Sequence, residues 1–255
     1  MHRKTYLLLF IAIIAIMTLA VVGCKDDDGG EQEDAFDLLS TYLQNNNMDL
    51  SDIFTDWLIT ASELDADLSD YYVLDIRGAD DYDTLGHITG AVNSSFSTLL
   101  TDAANNDGKP IVVACYTGQS AAHAVVALRL SGYTDAKSLK FGMASWGDTW
   151  AYKWTDNTGD AAVGHDNWTQ PGSPATAQEY EYPTISSTST DGATILSERV
   201  DALLAGGFKG VASTTVLDTP TDYFINNYWD ADTMEYYGNI TGAYRIYEDL
   251  SFSAG

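Results

Sequence analysis

The chain opens on a nearly unbroken apolar run over residues 7–22, then passes into residues 25–34, which have almost nothing to bury. From Ala35 the pattern becomes periodic. Phe36, Leu39 and Leu43 recur at three- and four-residue steps, which predicts a helix with one apolar face. Trp57-Leu58-Ile59 predicts a short strand. Thr60 to Glu63 has the S/T-x-x-E spacing of a capping box, so a helix should start there. Tyr71-Tyr72-Val73-Leu74, ending in Asp75, and Ile111-Val112-Val113-Ala114 are continuous apolar runs. Runs without alternation suit strands buried on both faces, as in a parallel sheet with helices on each side. Beyond Cys115, residues Ala121, Ala124, Val125 and Leu128 make a helical apolar face, with Gly132 as its stop.

After about Lys153 the composition shifts. Residues 156–192 are rich in Asp, Asn, Thr, Ser, Gly and Pro, which predicts a linker. A second apolar-periodic region starts at Ile195. It contains an internal repeat: residues 70–92 align without a gap on residues 222–244, at an offset of 152 with nine of 23 pairs identical. Identities cluster in Gly86/Gly238, Ile88/Ile240, Thr89/Thr241, Gly90/Gly242 and Ala91/Ala243. The same offset carries Cys115 to position 267, past residue 255, so the second copy is expected to be incomplete.

Composition narrows the classes. With 12 basic and 37 acidic residues the formal charge is −25, which argues against a nucleic-acid partner, since phosphates reward Lys and Arg. Two cysteines exclude a disulfide scaffold and a four-Cys zinc site. Four histidines without clustered spacing give no metal pattern, and no cofactor is expected. At the start, Arg3 and Lys4 precede the apolar run, which ends in Val21-Val22-Gly23-Cys24. This resembles the lipobox of bacterial lipoproteins. The resemblance implies cleavage of residues 1–23, lipidation of Cys24 and a membrane anchor through that lipid. Residues 24–34 then read as an acidic tether. The mature chain would carry ten basic and 37 acidic residues, −27, and face the periplasm from the cell envelope. Lys25 after the lipid Cys favours the outer membrane.

The candidate chemistry lies at Cys115-Tyr116-Thr117-Gly118-Gln119-Ser120-Ala121. A buried strand delivers a Cys to a short Gly-containing loop, and a helix follows. Such a loop can turn its backbone N–H groups toward the sulfur, and the helix N-terminus adds partial positive charge. Both would stabilise a thiolate or a persulfide anion. Residues 116–121 are expected to supply N–H groups, and Ser120 either a hydroxyl to the sulfur or a helix cap.

These residues resemble the rhodanese (sulfurtransferase) family in four ordered motifs. They are Leu74-Asp75-Ile76-Arg77; Gly86-His87-Ile88-Thr89-Gly90-Ala91, with Thr89 at the usual Pro; the Cys115 loop; and Leu139-Lys140-Phe141-Gly142-Met143-Ala144-Ser145-Trp146, with Phe141 at the first Gly. The resemblance implies an α/β fold, a five-stranded parallel sheet flanked by helices. It also implies Cys115 as the nucleophile that accepts sulfur. The expected organisation is a rhodanese-like catalytic domain over 35–155, a linker over 156–192 and a truncated second rhodanese-like unit over 193–255, able to pack on the first. In that unit Arg77 becomes Trp229 and His87 becomes Asn239, so it reads as non-catalytic.

Asp75 and Arg77 are expected to pair near their strand end, and His87 to order its turn. Trp146 and Trp150 should line core or pocket. The loop holds no Lys or Arg, so a persulfide or polysulfide donor is as plausible as thiosulfate, with a thiol or cyanide as acceptor. A second reading makes the chain a non-enzymatic binding or sulfur-sensing module. A phosphatase or arsenate-reductase reading fails at Ala121, where those families carry an Arg.

Overall fold

The computed structural model describes residues 34–178 and 180–246. The expected signal peptide, the lipid-bearing Cys24, nearly all of the tether and residues 247–255 lie outside the described residues. Asp34, the tether's last residue, caps the first helix: its Oδ1 accepts from Phe36 N–H at 3.0 Å.

The first part runs α1 (Ala35–Asn45), α2 (Leu50–Ile53), β1 (Leu58–Ile59), α3 (Ala61–Ala66), β2 (Tyr72–Asp75), α4 (Ala79–Thr84), β3 (Val92–Asn93), α5 (Leu99–Ala103), β4 (Ile111–Ala114), α6 (Gln119–Leu130), β5 (Lys137–Leu139) and α7 (Asp148–Thr155). The five strands form one parallel sheet in the order β1-β5-β4-β2-β3. Thr60 caps α3 in the expected box: Glu63 N–H donates to Thr60 Oγ1, and Thr60 N–H donates to Glu63 Oε2 at 2.9 Å. Every residue of β4 is buried, as the unalternating run predicts. Because side chains alternate across a strand, Ile111 and Val113 join a core on one face, with Leu74, Leu99 and Leu128. Val112 and Ala114 join the other, with Ile59, Val73, Ile88 and Met143.

The first core extends past the compositional boundary. Helix α8 (Gly192–Gly206) buries Ile195, Leu196, Val200 and Leu204 in it, beside Leu39 and Leu43 of α1. Gly192 makes this approach possible: a Cβ there would lie 2.5 Å from Tyr42 Cβ. The sheet's covering layer is therefore completed by a helix from the second apolar region.

The compositional linker also carries structure. Its strand β6 (Trp168–Thr169) pairs antiparallel with β8 (Asn239–Ile240). Gly172 and Ala175 N–H donate to Glu235 and Ala243 carbonyls. These contacts are made by backbone, so no apolar period announces them. Between α8 and β8 lie α9 (Ser213–Asp218), β7 (Asn226–Asn227) and α10 (Ala231–Tyr237); β9 (Tyr244–Arg245) follows β8.

The two segments that align at an offset of 152 share backbone features. β7 pairs parallel with β9 as Asn226↔Tyr244 and Asn227↔Arg245, and β2 pairs with β3 as Leu74↔Val92 and Asp75↔Asn93. All four positions shift by 152. So do the starts of α4 and α10, and the left-handed glycines Gly86/Gly238 and Gly90/Gly242.

Arg129 is buried in α6 and ties the strand-approach loops together. Its guanidinium donates to Ala136 O at 2.7 Å, Ile53 O at 2.9 Å, Thr55 O at 2.7 Å and Asp56 O at 3.2 Å. Replacing it with Leu strands the Ala136, Ile53 and Thr55 carbonyls, whereas Asp56 O keeps Lys137 Nζ at 3.0 Å; each stranded carbonyl costs about 1 kcal/mol, at the low end of the range for such groups. Arg129→Leu should lower unfolding stability by roughly 3 kcal/mol, read from urea denaturation.

Candidate functional site

Strand β4 ends at Ala114, and the chain turns at once into the Cys115 loop. Cys115 is buried, free and at the C-terminal end of a central strand, where parallel α/β sheets place their sites. Gly118 N–H donates to Cys115 Sγ at 3.1 Å, and Ala121 N–H at 3.4 Å. These two amides form the cradle. The expectation that all of residues 116–121 would contribute is corrected: among the described residues Tyr116, Thr117, Gln119 and Ser120 give no N–H to the sulfur. Gly118 sits at φ 88°, a left-handed turn into α6.

Ser120 performs neither expected role. Its hydroxyl makes no hydrogen bond among the described residues, and Gly118 is the N-cap of α6 without a side-chain bond. Thr117 Oγ1 instead lies 3.4 Å from Gln119 Oε1 on the outer rim.

The loop is held from behind by the segment after β5. Met143 N–H donates to Cys115 O at 2.7 Å, and Ala144 N–H to Tyr116 O at 2.9 Å. Gly142 enables this contact, since a Cβ there would lie 2.3 Å from Cys115 O and 2.8 Å from Gly118 N. Phe141, where the resembling motif has its first Gly, adopts φ 63°, a left-handed conformation that disfavours a side chain. Ser138 of β5 sends its hydroxyl to Gly118 O at 3.4 Å.

Asp75 and Arg77 pair as expected. Arg77 Nη2 lies 2.6 Å from Asp75 Oδ2, its Nε donates to the same carboxylate, and Nη2 also donates to Gly86 O at 2.8 Å. The pair thus clamps the 86–91 turn to the end of β2. Burial works against the Arg77 charge, and the Asp75 carboxylate more than offsets it, so the guanidinium stays charged. It lies 5.4 Å from the Tyr116 ring centroid and 5.9 Å from that of Trp150, which links clamp and loop. Burial, then Asp81, raises the Tyr116 pKa, keeping its phenol protonated. His87 stays at its turn: it stacks on Tyr82 at 3.7 Å and pairs Nδ1 with Tyr82 O.

Lys153 was not among the expected site residues. It lies on α7, beyond the loop in sequence, yet its Nζ is 4.3 Å from the Tyr116 ring centroid. It lines a cavity of about 900 Å³ together with Tyr116, Thr117 and Gln119. A basic residue in the last turn of an amphipathic helix following the family's Trp element was the available signal. Among the described residues no group of His, Cys, Asp and Glu could hold a metal ion.

The chain thus has a parallel α/β domain with a buried Cys on a loop at the end of a central strand, two backbone N–H groups donating to its sulfur. Residues 60–149 match the family model of the rhodanese-like domain, and this segment is a rhodanese-like domain. Similar solved structures include a rhodanese-related protein of Thermoplasma volcanium, at 25% identity over 34% of this chain and 87% of that one, with TM-score 0.31. A rhodanese-like domain protein of Staphylococcus aureus is 24% identical over 36% of this chain and 91% of its own, with TM-score 0.31. A thiosulfate sulfurtransferase of Pseudomonas aeruginosa is 18% identical over 44% of this chain and 21% of its own, with TM-score 0.32.

Gly142→Ala puts a methyl group into the Cys115 carbonyl. Because displacing a reacting group by about 1 Å costs on the order of 100-fold in rate, any displacement reaction at Cys115 should slow by up to about that factor in the variant, with the far-ultraviolet circular dichroism kept. The rate of Cys115 alkylation by iodoacetamide, compared with wild type, measures it.

Proposed function

We propose that this chain is a cell-envelope sulfurtransferase that carries sulfane sulfur as a Cys115 persulfide. The carrying observation is the pair of N–H donors on Cys115 Sγ. Hydrogen bonds to an ionised acceptor are roughly twice as strong as neutral ones, so the cradle favours the thiolate and, one atom further out, the persulfide anion. The thiolate attacks the outer sulfur of a donor. The donor's S–S bond breaks, and its electron pair leaves on sulfite or a thiolate. A thiol or cyanide acceptor then attacks the terminal sulfur and expels the Cys115 thiolate. Each half is a two-electron displacement at sulfur, so the cycle is ping-pong and needs no cofactor.

The location rests on the basic start, the apolar run and Val21-Val22-Gly23-Cys24. Lipidation of Cys24 would hold the domain at the membrane on the periplasmic side, with Lys25 favouring the outer membrane. The element order and register shared at an offset of 152 support reading residues 220–246 as part of a second, non-catalytic rhodanese-like unit. Cys115 has no partner thiol in a mature chain whose other Cys carries lipid. The persulfide must therefore be discharged to an outside acceptor.

Intact-protein mass spectrometry after thiosulfate, and separately after polysulfide, tests the reading. The wild type should gain about 32 Da, one sulfur atom, and Cys115→Ser should gain none. Equal gain in both proteins, or no turnover with either donor, rejects it. A partner that still binds Cys115→Ser, without any sulfur transfer by the wild type, would favour a binding module.

A further inference from the structure

The cavity outside the Cys115 loop is composite. Tyr116 and Thr117 come from the loop, Lys153 and Asp156 from the end of α7, and Val211 and Ser213 from the segment after α8. Its volume of about 900 Å³ equals that of about 30 waters at ~30 Å³ each, several times what a bare inorganic oxyanion displaces. The space beside the loop is therefore large enough for an organic donor, and the segment after α8 lines part of it.

Charge decides which end of that donor is recognised. The loop carries no Lys or Arg, and the chain as a whole has a formal charge of −25, which repels anions. Sulfane donors place negative charge on the group that leaves. Lys153 is the one cation lining the cavity among the described residues. It belongs to none of the ion pairs there, which join Arg77 to Asp75, Lys137 to Asp56 and His165 to Asp218. Its Nζ is seated 4.3 Å from the Tyr116 ring centroid and 5.3 Å from that of Tyr152. A cation over an aromatic face is held in place without being neutralised. Asp156, at the C-cap of α7, lines the same cavity and opposes an anion. Recognition therefore depends on Lys153 outweighing it locally.

We propose that Lys153 is the specificity-determining residue of the Cys115 site, its ammonium holding the anionic group of the sulfane donor during attack by the thiolate. The inference rests on the sulfur-transfer reading. As the donor's S–S bond breaks, the electron pair goes to the leaving sulfur, whose sulfonate or carboxylate remains beside the ammonium. The recognised group is an anion in either case, and the sulfonate of thiosulfate and the carboxylate of an organic persulfide are separate arms of the test.

The full-length protein, Lys153→Met and Lys153→Arg are assayed with cyanide as acceptor. The three donors are thiosulfate, the persulfide of 3-mercaptopropionate and, as the neutral donor, the persulfide of 2-mercaptoethanol, which carries a hydroxyl in place of the carboxylate and also releases a thiolate when its S–S bond breaks. In Lys153→Met the ratio of kcat/KM for an anionic donor to that for the neutral donor should fall about tenfold, carried by KM, and Lys153→Arg should restore most of it. A fall confined to one anionic donor identifies that donor's group as the one held. A fall shared equally by the neutral donor, or no fall with either anion, overturns the assignment. Mass spectrometry separates the two claims. Sulfur uptake by the wild type with an unchanged ratio in Lys153→Met rejects Lys153 alone. No uptake from any donor rejects both.

Discussion

The site depends on one close approach: the backbone of residues 142–144 against the backbone of the Cys115 loop. Two N–H groups, from Met143 and Ala144, hold the carbonyls of Cys115 and Tyr116. With those carbonyls fixed outward, the amides of Gly118 and Ala121 are free to face the sulfur. No side chain can stand between the two segments, because any Cβ on Gly142 would overlap the Cys115 carbonyl. Phe141 bears the consequence. It adopts a left-handed conformation to bring Gly142 into position, and its ring is left half-exposed against Trp154 at 5.1 Å. The local strain is offset by the loop it closes.

A second constraint ties this closure to the sheet. Asp75 ends β2 and is fully buried, so its charge must be paired. Arg77 pairs it, reaches on to the Gly86 carbonyl and lies beside the Tyr116 ring. A buried ion pair is weak evidence for stability. Here its effect is geometric, since it fixes the 86–91 turn, the end of β2 and one wall of the loop relative to each other. α8 acts on the opposite face. By covering α6, it supports the helix whose first turn supplies the Ala121 amide.

Much of this was legible in the residues, for identifiable reasons. β2 and β4 could be read because central parallel strands must be apolar on both faces, and β1, at the sheet edge, from its short apolar run Trp57-Leu58-Ile59. β5 could not, because Lys137-Ser138-Leu139 has one aliphatic residue; it is a strand by pairing between β1 and β4, and Ser138 is buried because its hydroxyl meets Gly118. Cys115, Asp75, Arg77 and His87 were legible from motif order, and all four lie where a strand end or turn was expected. The cradle was only partly legible. Which amides reach the sulfur depends on the loop's backbone path, including the left-handed Gly118, and composition does not encode that path. Lys153 is set apart for a different reason: it lies far from Cys115 in sequence and reaches the loop only through the placement of α7, so its position on that helix is the sole signal.

The two segments aligned at an offset of 152 share their backbone and differ in their side chains. Asn227 stands where Asp75 stands, and its Oδ1 accepts from Trp229 N–H at 2.8 Å, as Asp75 Oδ1 accepts from Arg77 N–H at 3.0 Å. The turn at the strand end therefore survives loss of the charge. Ala243 N–H meets Ile240 O as Ala91 N–H meets Ile88 O, between glycines of the same left-handed conformation. What changes is the reach of the side chains. Trp229 has no guanidinium to extend to the turn. Asn239, buried at the position of exposed His87, spends its amide on Ser173, accepting from its N–H at 2.7 Å and donating to its carbonyl. The copy is thus held by the incoming chain segment, where the first unit is held by an ion pair. A strand–helix–turn–strand unit needs only its backbone register and two positive-φ glycines to form. The ion pair is needed where a loop must be held against it, and that is the unit with the cysteine.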